Sequence, residues 1–238
     1  MKTSLLLFSR TVSPLFRPFL GEVSGIANFP KDGPAVMIAN HLSVFDGLIL
    51  AHVMNNEVRR HGHFISYKYL FENPFIGFFL RLNGGIFLDN STPEGREKAL
   101  EDSRELLRAG KVVALFPEAH TCPFEKMRRA QPGGAVLALD TGAPIVPVGV
   151  TGTQKVVPRE GDLPGVRWKA VNVRIGKPLD VSPYREHYRK SEGRQRLDIA
   201  LGVSTMAMRA VAELSGQEYR HGAKSLQRLA RLSMGGAG

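Results

Sequence analysis

The chain alternates short, wholly apolar runs with longer segments in which apolar residues return every three or four positions. Ala35–Ala39, His63–Tyr67, Gly85–Leu88, Val112–Phe116, Ile145–Val150 and Val171–Ile175 are the apolar runs, each bounded by Gly, Pro, Asn or Asp. Runs of this length cut off by turn formers predict β-strands. Between them Ser43 to about Met54, Pro74–Leu82, Pro93–Ala109 and Gly133–Thr141 predict helices. Ser91-Thr92-Pro93-Glu94 supplies the third helix with a start and Gly110 with a stop. Strands this apolar are buried on both faces, and interleaved helices supply the two covers. The pattern therefore predicts an α/β fold, a single domain with a mostly parallel mixed sheet flanked by helices, plus a C-terminal helical extension. In that extension Leu197, Leu201, Met208, Val211 and Leu214 set a helix over 194–214. A last helix, from about Glu218 to Leu232, carries Arg220, Lys224, Arg228 and Arg231 on one face.

At 238 residues the chain suits one domain. Its single cysteine, Cys122, excludes a disulfide framework and a cysteine-based zinc site. No apolar run approaches the ~20 residues of a spanning helix, and the first ten residues are too soon interrupted by Arg10 to read as a secretory signal. The net charge of +10 is placed unevenly: residues 1–166 carry 18 Lys and Arg against 16 Asp and Glu, residues 167–238 carry 14 against 6. At the N-terminus Leu5, Leu6, Phe8, Leu15, Phe16, Phe19 and Leu20 are interleaved with Arg10 and Arg17, which predicts attachment to a membrane surface over residues 1–28. The basic last helix suits anionic lipid headgroups. Nucleic acid is not expected as a partner, because Trp168, Tyr184, Tyr188 and Tyr219 are scattered rather than interleaved with the cations.

Two short stretches carry the candidate chemistry. His41 follows an apolar strand and precedes a helix, with Asp46 five residues on. A helix beginning between them can bring the carboxylate within hydrogen-bond reach of the imidazole. An imidazole with an ordinary pKa of ~6.5 takes a proton from a hydroxyl, and a carboxylate on its other nitrogen fixes the tautomer and stabilises the cation that forms. Ser43-x-x-Asp46 also reads as a capping box, so spacing alone leaves a structural role open. Glu118 ends the Val112–Phe116 strand after Pro117, where acids of open sheets line ligand crevices. A satisfied turn acid is the other reading.

Taken together, Asn40-His41-x4-Asp46, Gly85-Ile86-Phe87-Leu88-Asp89, Phe116-Pro117-Glu118 and Ala143-Pro144-Ile145-Val146-Pro147-Val148 resemble, in order and separation, the four motif blocks of the glycerolipid (lysophosphatidate) acyltransferases. The stretch Arg129–Leu139 is also similar to the segment between the third and fourth blocks. The likeness spans about Phe29 to Val156, within an acyltransferase domain of residues 29–180 followed by a basic helical extension over 181–238. It implies transfer of a fatty acyl group from a thioester, acyl-CoA or acyl carrier protein, to the free hydroxyl of a lysophospholipid such as 1-acylglycerol-3-phosphate, with no cofactor or metal. His41 would deprotonate the hydroxyl and Asp46 would orient His41. Substrate would meet Asn40, Ser43, Phe87, Asn90, Phe116, Pro117, Glu118, His120, Thr121, Arg128, Arg129 and Pro147. The Pro144–Val148 strand would help line an acyl channel; the oxyanion-stabilising groups are not read from the sequence, with N–H groups at the start of the Ser43 helix as candidates. The resemblance also implies a protein at the cytoplasmic face of a membrane, peripheral or monotopic, with lysophospholipid, acyl thioester and anionic lipid as partners.

The departures bear on the acceptor. Where the family carries two phosphate-holding arginines this chain has Asn90 and Thr121, and Gly-Thr has become Ala119-His120. Two lost charge-assisted hydrogen bonds, each worth roughly 1.5 to 3 kcal/mol, would weaken phosphate binding by hundreds-fold. Either other cations replace them, from among Lys68, Arg81, Lys126, Arg128 and Arg129, or the acceptor lacks that phosphate. A non-catalytic lipid- or nucleic-acid-binding relative, indifferent to His41, is the remaining alternative.

Overall fold

The computed structural model describes residues 13–122, 125–156 and 167–234. Seven strands form one sheet in the order β1-β7-β6-β2-β5-β3-β4. They are β1 (Leu20–Ser24), β2 (Ala35–Ala39), β3 (Gly62–Tyr67), β4 (Ile86–Leu88), β5 (Val112–Leu115), β6 (Ile145–Thr151) and β7 (Val171–Ile175). All neighbours run parallel except β6 and β7. The expected mixed, mostly parallel α/β sheet is therefore the one observed.

Strand β2 shows why the apolar runs lack polar alternation. Its five residues are all buried, with Val36 and Ile38 in the hydrophobic cluster on one face and Ala35, Met37 and Ala39 in the cluster on the other. Helices α4 (Pro93–Arg108), α5 (Gly133–Thr141) and α8 (Gly193–Ser215) cover the first face, and α1 (Phe45–His52) covers the second. Two short helices, α2 (Lys68–Glu72) and α3 (Pro74–Leu82), connect β3 to β4. One turn, α6 (Thr153–Val156), follows β6, while α7 (Ser182–Lys190) precedes α8 and α9 (Ala223–Met234) follows it. Helix α8 is no appendage. A Cβ placed on Gly149 of β6 would stand 2.6 Å from Leu214, so glycine is what lets helix and strand meet.

Several boundaries differ from the sequence expectation. Residues 20–24, grouped with the N-terminal segment, form edge strand β1 paired with β7, so the break at 28/29 falls inside the folded unit. Phe16 and Phe19, expected at a membrane surface, pack edge-on to Phe45 of α1 at 5.6 and 5.2 Å. Leu5, Leu6, Phe8 and Arg10 lie outside the described residues. Helix α1 starts at Phe45 rather than Ser43, because Ser43 is held in the loop by its bonds to Phe45 and Asp46. Helix α9 starts at Ala223 rather than Glu218, since Glu218 instead exchanges backbone hydrogen bonds with Glu125 and Met127. Arg220 therefore lies off the basic helical face and pairs with Glu218, and Arg228 pairs with Asp198.

Candidate active site

Strands β2, β5 and β6 are adjacent and parallel, so the loops after them meet at one edge of the sheet. His41 and Asp46 come from the loop after β2, Glu118 from the loop after β5 and Thr153 from the turn after β6. The His41 Nδ1 lies 2.8 Å from the Asp46 Oδ2. Asp46 is fully buried. Its Oδ2 also accepts the backbone N–H of Leu42 at 2.6 Å and of Ser43 at 2.8 Å, and its Oδ1 accepts the Thr153 hydroxyl at 2.5 Å. A carboxylate so placed accepts a hydrogen bond from Nδ1–H, which leaves Nε2 as the basic nitrogen. The imidazole lies flat against the Phe116 ring, with centroids 4.2 Å apart.

Glu118 joins two loops. Its Oε1 accepts the His41 N–H at 3.0 Å and its Oε2 accepts the Arg128 N–H at 2.8 Å. Burial pushes this carboxyl above the usual glutamate range, against the two N–H bonds and the nearby His41, which pull it down. Asn40 fixes the residue before the base: it donates to the Val150 carbonyl at 2.8 Å and to the Gln217 side chain at 2.7 Å, and accepts the Val150 N–H at 2.7 Å.

His41 opens onto a cavity of about 1290 Å³. Phe45, Leu48 and Ala51 of α1, Phe79 and Leu80 of α3, and Leu100, Leu115 and Val136 supply its apolar wall. Asn90, Arg96, His120, Thr121, Arg128, Arg129 and His221 supply polar and cationic lining. Such a mixture fits a ligand with a long apolar chain and an anionic or polar head.

Of the residues that the resemblance assigned to substrate, Phe116, Pro117, Glu118, His120, Thr121, Asn90, Arg128 and Arg129 line this cavity together with His41. Four do not. Asn40 is buried and spent on β6 and Gln217, and Ser43 is buried with its hydroxyl turned to the Phe45 N–H. Phe87 sits on the outside, tilted against Phe71 at 5.5 Å. Pro147 is in the interior of β6 opposite Ile38, so the Pro144–Val148 strand builds the sheet rather than a channel. The Ser43 N–H, a candidate for facing an oxyanion, is consumed by Asp46, as is the N–H of Leu42. Among the proposed replacement cations, Arg128 and Arg129 reach the cavity, whereas Arg81 caps the Phe71 carbonyl and Lys68 pairs with Asp89 at 3.9 Å.

Three residues carry more of the site than the sequence suggested. Thr153 is one. Arg96, in the first turn of α4, lines the cavity while donating to the Asn90 carbonyl at 2.6 Å, which puts a cation beside one of the two missing arginines. His221 reaches the cavity from the far C-terminal side and lies 3.2 Å from the Met127 carbonyl. Among the described residues no three His, Cys, Asp or Glu side chains lie together as a metal site.

Fold and site together set a histidine–carboxylate pair at the wall of a cavity with apolar and cationic lining. Comparison with known proteins gives the family: the acyltransferase family model matches residues 21–151, and the chain belongs to that family. An uncharacterised protein of Mycobacterium tuberculosis is 33% identical over 171 residues, 65% of this chain and 45% of that protein. The 1-acyl-sn-glycerol-3-phosphate acyltransferase of Pseudomonas aeruginosa is 30% identical over 128 residues, 53% of this chain and 48% of that enzyme. The matched region thus spans less than half the length of these relatives. The crystal structure of the 1-acyl-sn-glycerophosphate acyltransferase of Thermotoga maritima superposes with a TM-score of 0.61 at 25% identity, over 89% of this chain and 78% of that one.

Proposed function

We propose that this protein is an O-acyltransferase that moves a fatty acyl group from a thioester of coenzyme A or acyl carrier protein to the hydroxyl of a phosphate-bearing lysophospholipid such as 1-acylglycerol-3-phosphate. The observation that carries the reading is the His41–Asp46 pair at the wall of a large cavity with both apolar and cationic lining. His41 Nε2 takes the acceptor proton, and the oxygen attacks the thioester carbonyl carbon. The tetrahedral intermediate collapses with loss of the thiolate, which takes the proton back from the imidazolium. The products are an ester and a free thiol.

Arg96, Arg128 and Arg129 favour a phosphate-bearing acceptor despite Asn90 and Thr121, because each adds a cation to the same lining. The reading also includes work at a membrane surface, which delivers the lysolipid. Val44 and Tyr69 support it, since both line the cavity yet are 58% and 60% exposed, as an apolar rim in contact with lipid would be. No described helix is long and apolar enough to cross a membrane.

The test is thiol release from an acyl thioester with a panel of lysolipids. Release should depend on the lysolipid and favour lysophosphatidate over monoacylglycerol. It should fall on the order of 10²- to 10⁴-fold in His41→Ala. Release without acceptor would make the protein a thioesterase, and an undiminished rate in His41→Ala would remove the base. Equal use of monoacylglycerol would remove the phosphate from the acceptor.

A further inference from the structure

We infer that Thr153 is a positioning residue of this site, acting through Asp46; the inference rests on the acyl-transfer reading above. Asp46 has no contact with bulk water, so both of its oxygens need protein donors. Three of the four donors gather on Oδ2: the N–H groups of Leu42 and Ser43 and the His41 ring. All three come from the short loop between β2 and α1, within five residues of Asp46, so they hold the carboxylate only to its own stretch of chain. Oδ1 is held by the Thr153 hydroxyl, which belongs to a different strand end. This bond ties the loop after β2 to the turn after β6, and it fixes the carboxylate plane relative to the sheet.

The backbone around Thr153 is built for that approach. Gly152 has φ +89, and a Cβ there would stand 1.8 Å from the Ala170 carbonyl oxygen, so only glycine lets the chain turn tightly after β6. Thr153 follows at once, fully buried, at the start of α6. Strand β6 pairs with β2 up to Val148 opposite Ala39, and Asn40 bonds Val150 on both its amide and carbonyl. The two strand ends are therefore locked in register, and Thr153 transmits that register to the carboxylate. A carboxylate held on one oxygen only would still select the imidazole tautomer. Held on both, it also fixes the direction in which Nε2 points.

Thr153→Val keeps the shape and deletes the donor, whereas Thr153→Ser keeps the donor and deletes a methyl. For Thr153→Val the expected result is a fall in kcat of about tenfold, the worth of one hydrogen bond to a charged group, with KM for thioester and lysolipid within about twofold. Thr153→Ser should recover most of the rate. The second readout needs no turnover: the downfield proton NMR signal of the His41 Nδ1–H should be present in the wild type and in Thr153→Ser, and shifted or broadened in Thr153→Val. A wild-type kcat and an unchanged signal in Thr153→Val would overturn the inference, as would a serine variant as impaired as valine, which would mean that the methyl packing matters and the donor does not. Failure of the underlying reading looks different: His41→Ala would then keep full thiol release, while in the Thr153 variants, which retain His41, the Nδ1–H signal would still respond to the loss or return of the hydroxyl.

Discussion

Glu118 spends one carboxylate on two loops, the one that carries His41 and the one that carries Arg128. Its raised pKa has a sign that stability can report. The folded state holds the proton more tightly than the unfolded chain does, so the contribution is fully present below the ordinary 4.5 and is lost as pH rises through the raised value. Glu118→Gln cannot titrate, and its stability relative to the wild type should improve as pH climbs through that window, measured by urea denaturation at closely spaced pH. A difference that stays flat there would put the carboxyl back in its ordinary range. The next residue, Ala119, stands at φ +64, a left-handed conformation where the family carries glycine. An L-residue there costs about 1 to 2 kcal/mol, of which glycine returns about 0.5 to 1 in chain entropy. Ala119→Gly should therefore stabilise by about 0.5 to 1 kcal/mol, seen as a higher denaturant midpoint. His41, Asp46 and Glu118 were legible in the sequence because a short loop after an apolar strand confines them. Thr153, Arg96 and His221 were not, because each is an ordinary residue made relevant by strands or helices that meet only in the fold.

Among the elements, α4 follows its sequence signals closely. The Thr92 hydroxyl accepts the Gly95 N–H at 3.0 Å, Pro93 opens the helix, and the chain leaves it at Gly110 with φ 72. That cap also aims Arg96, one residue further on, toward the cavity. Thr92→Ala should cost about 1 kcal/mol of stability, read as a lowered midpoint, and should raise KM for a phosphate-bearing lysolipid while leaving a monoacylglycerol unaffected. An equal effect on both acceptors would separate the cap from the headgroup. The six apolar runs became strands because burial on both faces demands that composition. Strand β1, Leu-Gly-Glu-Val-Ser, escaped because an edge strand is not enclosed on all sides and lacks the continuous apolar run, and Leu20 alone is fully buried. Helix α7 escaped for a related reason: Ser182–Lys190 is mostly polar and buries only Tyr188.

At the scale of the molecule, two of the exposed large apolar side chains, Val44 and Tyr69, line the cavity. Leu15, Val44, Tyr69, Phe78 and Trp168 are all exposed, and Trp168, 63% exposed, stacks on Phe19, which in turn meets Phe45 beside the cavity. Trp168 is the single tryptophan of the chain, so its emission reports docking directly. Anionic vesicles should shift it to the blue, and the shift should weaken between low and high salt in proportion to the part played by the net charge of +10. No shift with any vesicle would move the lipid contact elsewhere.

The family match ends at residue 151, yet the segment after α8 grips the site: Gln217 holds Asn40, Glu218 pairs with the strand of chain before Arg128, the Tyr219 hydroxyl accepts the Ala130 N–H, and His221 faces the cavity. On the proposed reading, acceptor preference is therefore written in two distant stretches of one chain. Anyone hoping to transplant it between relatives would have to move residues 118–132 and 217–221 as a matched set, because either half alone would land against a counterpart shaped for another socket.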